Sequence, residues 1–532
     1  MSANSKNSPA RGGLSRRQFG TQVMGATAAG LILPNLSATA ARAATPKKGG
    51  ILRLAVSEGH TNDSLNPART GSGTKAILSF QFRNGLVELA PNGELIGELS
   101  DSWETSADAK TWTFKVRKGV TFHSGKTLDA TDVVESYNHH RHPDAKSPGK
   151  RMFSTVADLQ APDAETVVFT LTEGNLDFPY ILTSNFFPIC RAKAGGGIEW
   201  ETGDGTGPYI MEEFKPGVSA RTRRNPNYWK EGRGHFDGID TTYVTDPTAR
   251  FNGLRTGSFD LIMDPDPKTL NLVERMPGVN VLSVKGARHA VMPMLSDMEP
   301  FANNDVRMAL KLAIDREQMN NQIYGGSASL GNDQPINESY RFHATKDELP
   351  QTIYDPDKAK FHLKQAGMSD LTVPLHVSET GFRGAVDAAV LFKESAARAG
   401  ITINVVQEPK DGYWGNIWRK KPFVASGWGG LPTEDLMLTR VYSTGVPWNE
   451  SRFSNARFDE LLVSARTERD TTKRRDMYVE MQQLIAHQGG SVIPLFYGFS
   501  HAMKENVMHD ETVSKSGLFD GFRGPERWWF DS

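Results

Sequence analysis

Two apolar periods alternate along the chain. Ile51-Leu52-Arg53-Leu54-Ala55-Val56 is nearly continuous in apolar residues, the pattern of a buried strand. Thr111-Trp112-Thr113-Phe114-Lys115-Val116-Arg117 alternates apolar and polar, as a strand with one wet face does. Thr166-Val167-Val168-Phe169-Thr170-Leu171 is a second such strand. The helical period comes later. Over 305–324, Val306, Ala309, Leu310, Ala313, Ile314 and Ile323 fall on one face, and Asn304 or Asp305 is placed to cap the start. Over 456–487, Phe458, Leu461, Leu462, Ala465, Met477, Met481, Leu484 and Ile485 recur at three and four, opposite a face rich in Glu and Arg. Both stripes read as core of docked helices. Strands joined by helices of crossover length predict an α/β protein with covered sheets. There is no linker long enough to hold separate cores apart, so the domains should interleave.

The N-terminus departs from this pattern. Ser15-Arg16-Arg17-Gln18-Phe19 precedes an apolar stretch, Val23–Leu33, about half of what a membrane span needs. Ala41-Arg42-Ala43 follows, a small-x-small cleavage site. The pattern resembles a twin-arginine export signal, with Gly20 where that signal usually has Leu. Segment 1–43 holds Lys6, Arg11, Arg16, Arg17 and Arg42 and no acid. With a formal charge of −1 for all 532 residues, the remaining chain is mildly acidic, and no global field would recruit nucleic acid. No cysteine stands at the cleavage site for a lipid anchor. Cys190, the single cysteine, excludes an internal disulfide and any site of two thiolates. A soluble periplasmic protein is expected.

The chemistry motifs thin out on inspection. Ser124-Gly125-Lys126-Thr127 ends like a phosphate loop, but Val120 replaces the glycine that the backbone nest needs, so a turn is expected. Asn138-His139-His140-Arg141-His142 gathers three imidazoles, and the flanking Pro143 and Asp144 suggest a surface loop. Asp264-Pro265-Asp266-Pro267 reads as a rigid turn. No nucleophile elbow and no His-Glu-x-x-His occur. No catalytic residue, metal or cofactor is assigned.

Six blocks then carry a resemblance. They are Gly97-Glu98-Leu99-Ser100-Asp101-Ser102-Trp103-Glu104; Thr111–Lys126 followed by Ala130-Thr131-Asp132-Val133; Gly205-Thr206-Gly207-Pro208-Tyr209; Arg224-Asn225-Pro226-Asn227-Tyr228-Trp229; Phe301–Leu310 with Ile314-Asp315-Arg316; and Tyr354-Asp355-Pro356-Asp357-Lys358-Ala359. In this order they resemble the family 5 extracellular solute-binding proteins of ABC importers, over nearly the whole chain after residue 43. Trp103, Trp112, Phe114 and Phe122 read as packing residues within that pattern.

The resemblance implies a two-lobed periplasmic-binding-protein type II fold with an extra β-rich inserted domain. Lobe one would comprise 44–79, 206–285 and 498–532, the insert 80–205 and lobe two 286–497. The crossings would be Val284–Met294 and Val492–Ser500. It implies a monomer that captures a small-molecule or peptide ligand by closing its lobes, then meets an ABC permease, with no catalysis and no nucleic acid. An opine, oligosaccharide or metal complex is an alternative cargo. A secreted hydrolase or a sensor partner is an alternative role.

The resemblance also places ligand contacts at Gly427-Trp428-Gly429-Gly430-Leu431-Pro432-Thr433-Glu434-Asp435. Asp435, then Glu434, would pair with a substrate ammonium, because an unpaired buried charge is costly. Asp435 as a helix cap is the plain alternative. Trp428 would stack on the ligand or pack beneath the loop. Tyr413, Trp414 and Trp418 form an aromatic cluster, with Trp414 and Trp418 spaced for one helical face. Core packing and cleft lining are both open for them. Arg383, or alternatively Arg440, would clamp a substrate carboxylate.

Overall fold

The computed structural model describes residues 46–69, 73–266 and 269–531. The export-signal reading of 1–43 lies outside them. Among the described residues, no helix is long and apolar enough to cross a membrane.

The apolar run Ile51–Val56 becomes the centre of a mixed sheet, flanked in parallel by Gly238–Tyr243 and Leu261–Met263. Tyr209–Lys215 and Ser219–Arg224 extend one side as an antiparallel hairpin. On the other side Leu495–Lys504 pairs with Leu261–Met263 and then with the fifteen-residue strand Val279–Pro293. Ser426–Trp428 pairs with the far end of that long strand. Leu52, Leu54, Ile239, Leu261, Phe519 and Trp528 share one core against this sheet.

The two long strands slip register between Val284 and Arg288. Glycine is required there: a Cβ on Gly498 would lie 1.6 Å from the Val284 carbonyl oxygen. The slip lets the strands bend where they leave one core and enter the next. Beyond it, Ala290, Met292 and Met294 join a second core with Val306, Leu310, Phe392 and Phe423. There the parallel strands Leu371–Val377 and Ile401–Gln407 are connected by the helix Ala385–Ala397.

The alternating segments form a separate antiparallel sheet, in the order Ser100–Thr105, Thr111–Val116, Thr166–Leu171, Val156–Asp163. Trp112, Phe114 and Phe169 face the helix Ala130–Arg141, whose Tyr137 stacks edge-on to Phe169 at 5.5 Å. Asp129 and Asp132 close a capping box at its start.

Three local expectations are corrected. The stripe over 305–324 is two helices, Asn304–Leu312 and Arg316–Tyr324, because Asp315 turns the chain and its side chain accepts from Gln318 N–H; the first cap is Asn303. The stripe over 456–487 is likewise Ala456–Ala465 and Thr471–Gln488, with Asp470 capping the second. The histidine run is the last turn of a helix and not a loop. His140 is buried with its Nδ1 2.6 Å from Ser147 Oγ, while His139 turns to Asn66. The 124–127 segment is a turn, whose Lys126 pairs with Asp129 and Asp132.

Candidate ligand-binding site

A cavity of about 540 Å³ opens between the bent strands and the segments packed beyond them. One wall is made of Glu58, Asp264, Arg288, Phe499 and the C-terminal stretch Ser514–Leu518 with Phe522 and Arg523. The facing wall is Met152, Thr183–Phe186, Ser339, Tyr340, the loop Gly429–Pro432 and Arg440. Volume and mixed lining fit a small-molecule site, which typically spans roughly 300–1,000 Å³. Gly430 lets its loop lie on the strand bend: a Cβ there would meet Ala287 Cβ at 2.8 Å.

Behind the first wall lies a dense charge cluster. Lys230 Nζ sits 2.6 Å from Glu88, 3.0 Å from Glu98 and 3.0 Å from Glu526. Arg523 pairs with Glu98, and Arg527 with Glu88 and Asp520. Three glutamates this close could suggest a metal centre. The Lys230 ammonium already lies among them, so the charge they would offer a cation is used internally. Its three cationic neighbours outweigh burial and hold Glu88 well below the usual carboxylate range, whereas burial raises Glu98. The cluster fastens the C-terminal stretch, which lines the cavity, to the chain near 84–98.

Asp435, Glu434, Trp428, Trp414, Tyr413 and Arg383 are not among the residues lining this cavity. Asp435 is 3% exposed, and its carboxylate accepts from Arg466 Nε at 2.9 Å. Glu434 is 2% exposed and accepts from Phe342 N–H. Both occupy the first turn of the helix Glu434–Val441, which Thr433 caps. Asp435 is thus paired within the protein, and Glu434 is buried with one backbone amide on its carboxylate. Trp428 donates to Glu450 at 2.7 Å and rests 5.6 Å from Trp448. Tyr413 is buried and donates to the carbonyls of Ala425 and His376. Its helix spans only Tyr413–Asn416, yet the rings of Trp414 and Trp418 still meet at 5.7 Å. Trp414 is 45% exposed, and Trp418 donates to Glu450. Arg383 is half exposed, 3.7 Å from Asp266.

Arg440, the alternative to Arg383, does reach the cavity. So does the Gly-Gly-Leu-Pro part of the singled-out loop. Sequence reasoning missed Arg288, Tyr340, Asp264 and the stretch 514–523. For Asp264 a signal existed in the Asp-Pro-Asp-Pro segment; its φ of +48° is unusual for a side-chain-bearing residue, and it lines the cavity. The stretch 514–523 carries no motif; the sheet topology and the long-range pairs Arg523–Glu98 and Arg527–Glu88 bring it to the cavity.

The family model for bacterial extracellular solute-binding proteins, family 5, matches residues 94–449. The chain belongs to this family. Among its relatives is di/tripeptide-binding protein 1 of Pseudomonas aeruginosa, 25% identical over 529 residues that cover 92% of this chain and 96% of the relative. Heme-binding protein A of Haemophilus influenzae is 28% identical, covering 84% of this chain and 85% of its own. Among solved structures, the substrate-binding protein CtaP of Listeria monocytogenes superposes with a TM-score of 0.78 at 22% identity, over 91% of this chain and all of the other. These are type II periplasmic binding proteins, and the mixed sheet with its flanking helices is their fold. The solute-binding protein described here is thus a binding component of an ABC transporter.

Proposed function

We propose that this solute-binding protein captures a peptide or peptide-like solute in the periplasm and presents it to an ABC permease, without acting on it chemically. The observation that carries this reading is the cavity, whose walls present carboxylates at Glu58 and Asp264 and cations at Arg288, Arg440 and Lys515. A zwitterionic solute is complementary to such a lining. Relatives named for di- and tripeptides support the same cargo class. The lobes would be 44–79 with 206–285 and 498–532 on one side and 286–497 on the other, with 80–205 attached. The strand bend at Gly286 and Gly498 would then be the hinge, and ligand would select the closed state. Export through the twin-arginine segment would deliver the folded chain.

A thermal-shift screen of the purified protein tests the cargo. A bound peptide at 100 times its Kd adds about 2.7 kcal/mol and raises the Tm by a few degrees. Stabilisation by di- to tetrapeptides is expected. A response confined to oligosaccharides, opines or nickel complexes would replace the peptide reading.

A further inference from the structure

In the two-lobe reading the chain leaves lobe one at 79, forms the insert 80–205 and re-enters lobe one at 206. A buried charge cluster reinforces these two covalent links: Glu88 and Glu98 of the insert hold Lys230, Arg523 and Arg527 of lobe one. The contact of the insert with 286–497 is different in kind. Asp177, 1% exposed, accepts from Arg341 at 2.9 Å and from Arg474 at 2.7 Å. Arg341 also lies 5.1 Å over the Tyr180 ring and donates to its hydroxyl at 3.2 Å. Arg469 donates to the carbonyls of Ser106 and Ala107. Arg466, whose Nε stays with Asp435, reaches Glu173 at 3.5 Å. Across this seam the insert supplies acids and carbonyls, and lobe two supplies arginines. The seam also borders the cavity: Thr183–Phe186, just beyond Asp177 and Tyr180, line it from the insert, and Ser339 and Tyr340, beside Arg341, line it from lobe two. Charged faces regain water when they part, so a seam of this make-up can open and reclose.

We propose that the seam is a closure latch. The insert travels with lobe one, and its Asp177 docks between Arg341 and Arg474 of lobe two as the lobes shut. Two guanidinium groups converging on one buried carboxylate fix the closed geometry. The inference rests on the two-lobe reading and not on the cargo. Because these residues pair with one another, the protein's own charges hold part of the closed population, and ligand adds to it.

Distances between pairs of spin labels, measured on the purified ligand-free protein, test the latch. Exposed lysines carry the labels: Lys118→Cys with Lys360→Cys spans insert and lobe two, and Lys118→Cys with Lys215→Cys spans insert and lobe one. Cys190 is buried and stays unlabelled. The first pair should show a populated closed distance in wild type. Asp177→Asn should move the closed-to-open ratio toward open by roughly tenfold or more, the scale of a hydrogen bond to a charged group. Arg341→Gln, at the half-exposed rim, should move it in the same direction by less, and it decides the matter if Asp177→Asn does not fold. The second pair should keep one distance throughout. No closed distance in wild type, or an unchanged ratio in the folded variants, overturns the latch. A changing distance within the second pair assigns the insert to lobe two and overturns it too. Failure of every peptide in the thermal-shift screen would replace the cargo and leave these distances as expected.

Discussion

The helix Glu434–Val441 carries charge at both ends, and the fold treats the two ends oppositely. At its start, Asp435 and Glu434 are buried, Asp435 paired with Arg466 and Glu434 accepting from the Phe342 amide. At its last turn, Arg440 stands over an indole, with no carboxylate paired to it among the described residues, and lines a cavity. The first pair stabilises the folded chain itself. The second charge rests on the Trp448 ring, open to the cavity. The contrast teaches that a charged residue must be read with its resident partner, which the fold and not the local sequence supplies.

The strongest way to break this comparison is at the most internally satisfied charge. Lys230→Met would leave Glu88, Glu98 and Glu526 facing one another around an apolar stem. Removing one partner of a buried pair costs about 3–5 kcal/mol, and here three partners lose it. The variant should fail to accumulate, or melt far below wild type, in a heat-denaturation series. A near-normal Tm would mean that the cluster does not hold the C-terminal stretch.

Asp435→Ala should come next, losing about 3–5 kcal/mol by stranding Arg466. Its remaining folded fraction should bind solute as wild type does. Selective loss of binding with unchanged stability would return Asp435 to the ligand site.

Acid should act on the buried interior before it acts on the cavity. Burial pushes His289 and His501 down to about 4, below their ordinary value near 6.5. The unfolded chain therefore takes up these protons first as the pH falls. Stability should be complete above about pH 6.5 and decline toward pH 4, by on the order of 3 kcal/mol for each histidine. Denaturant midpoints between pH 7 and 4.5 should fall steadily. A flat profile would show that these imidazoles have water or charge partners.

The smallest effect belongs to Trp414. It is half exposed and away from the cavity, so Trp414→Ala should change stability by no more than about 0.5 kcal/mol and leave binding unaltered. A binding loss would extend the site toward the aromatic cluster.

Much of this was legible in the sequence, for reasons that differ by element. The strands Ile51–Val56 and Thr111–Val116 announce themselves because their burial follows a local period. The six motif blocks point to the family that residues 94–449 match. Helix breaks at Asp315 and Asp470 were hidden because the apolar stripe continues across them. The site was least legible. The partner of Asp435 is Arg466, brought in by a neighbouring helix, and nothing near Asp435 in sequence foretells it. The cavity lining at 514–523 is likewise placed by long-range pairing of Leu495–Lys504.

The most direct test sets the two ends of one helix against each other. Arg440→Met and Asp435→Asn are titrated with the same free-acid peptide, under conditions where both are folded. Arg440→Met should weaken binding by roughly tenfold or more, while Asp435→Asn leaves Kd within about twofold of wild type. The reverse result, binding lost with Asp435 and kept without Arg440, would contradict the account.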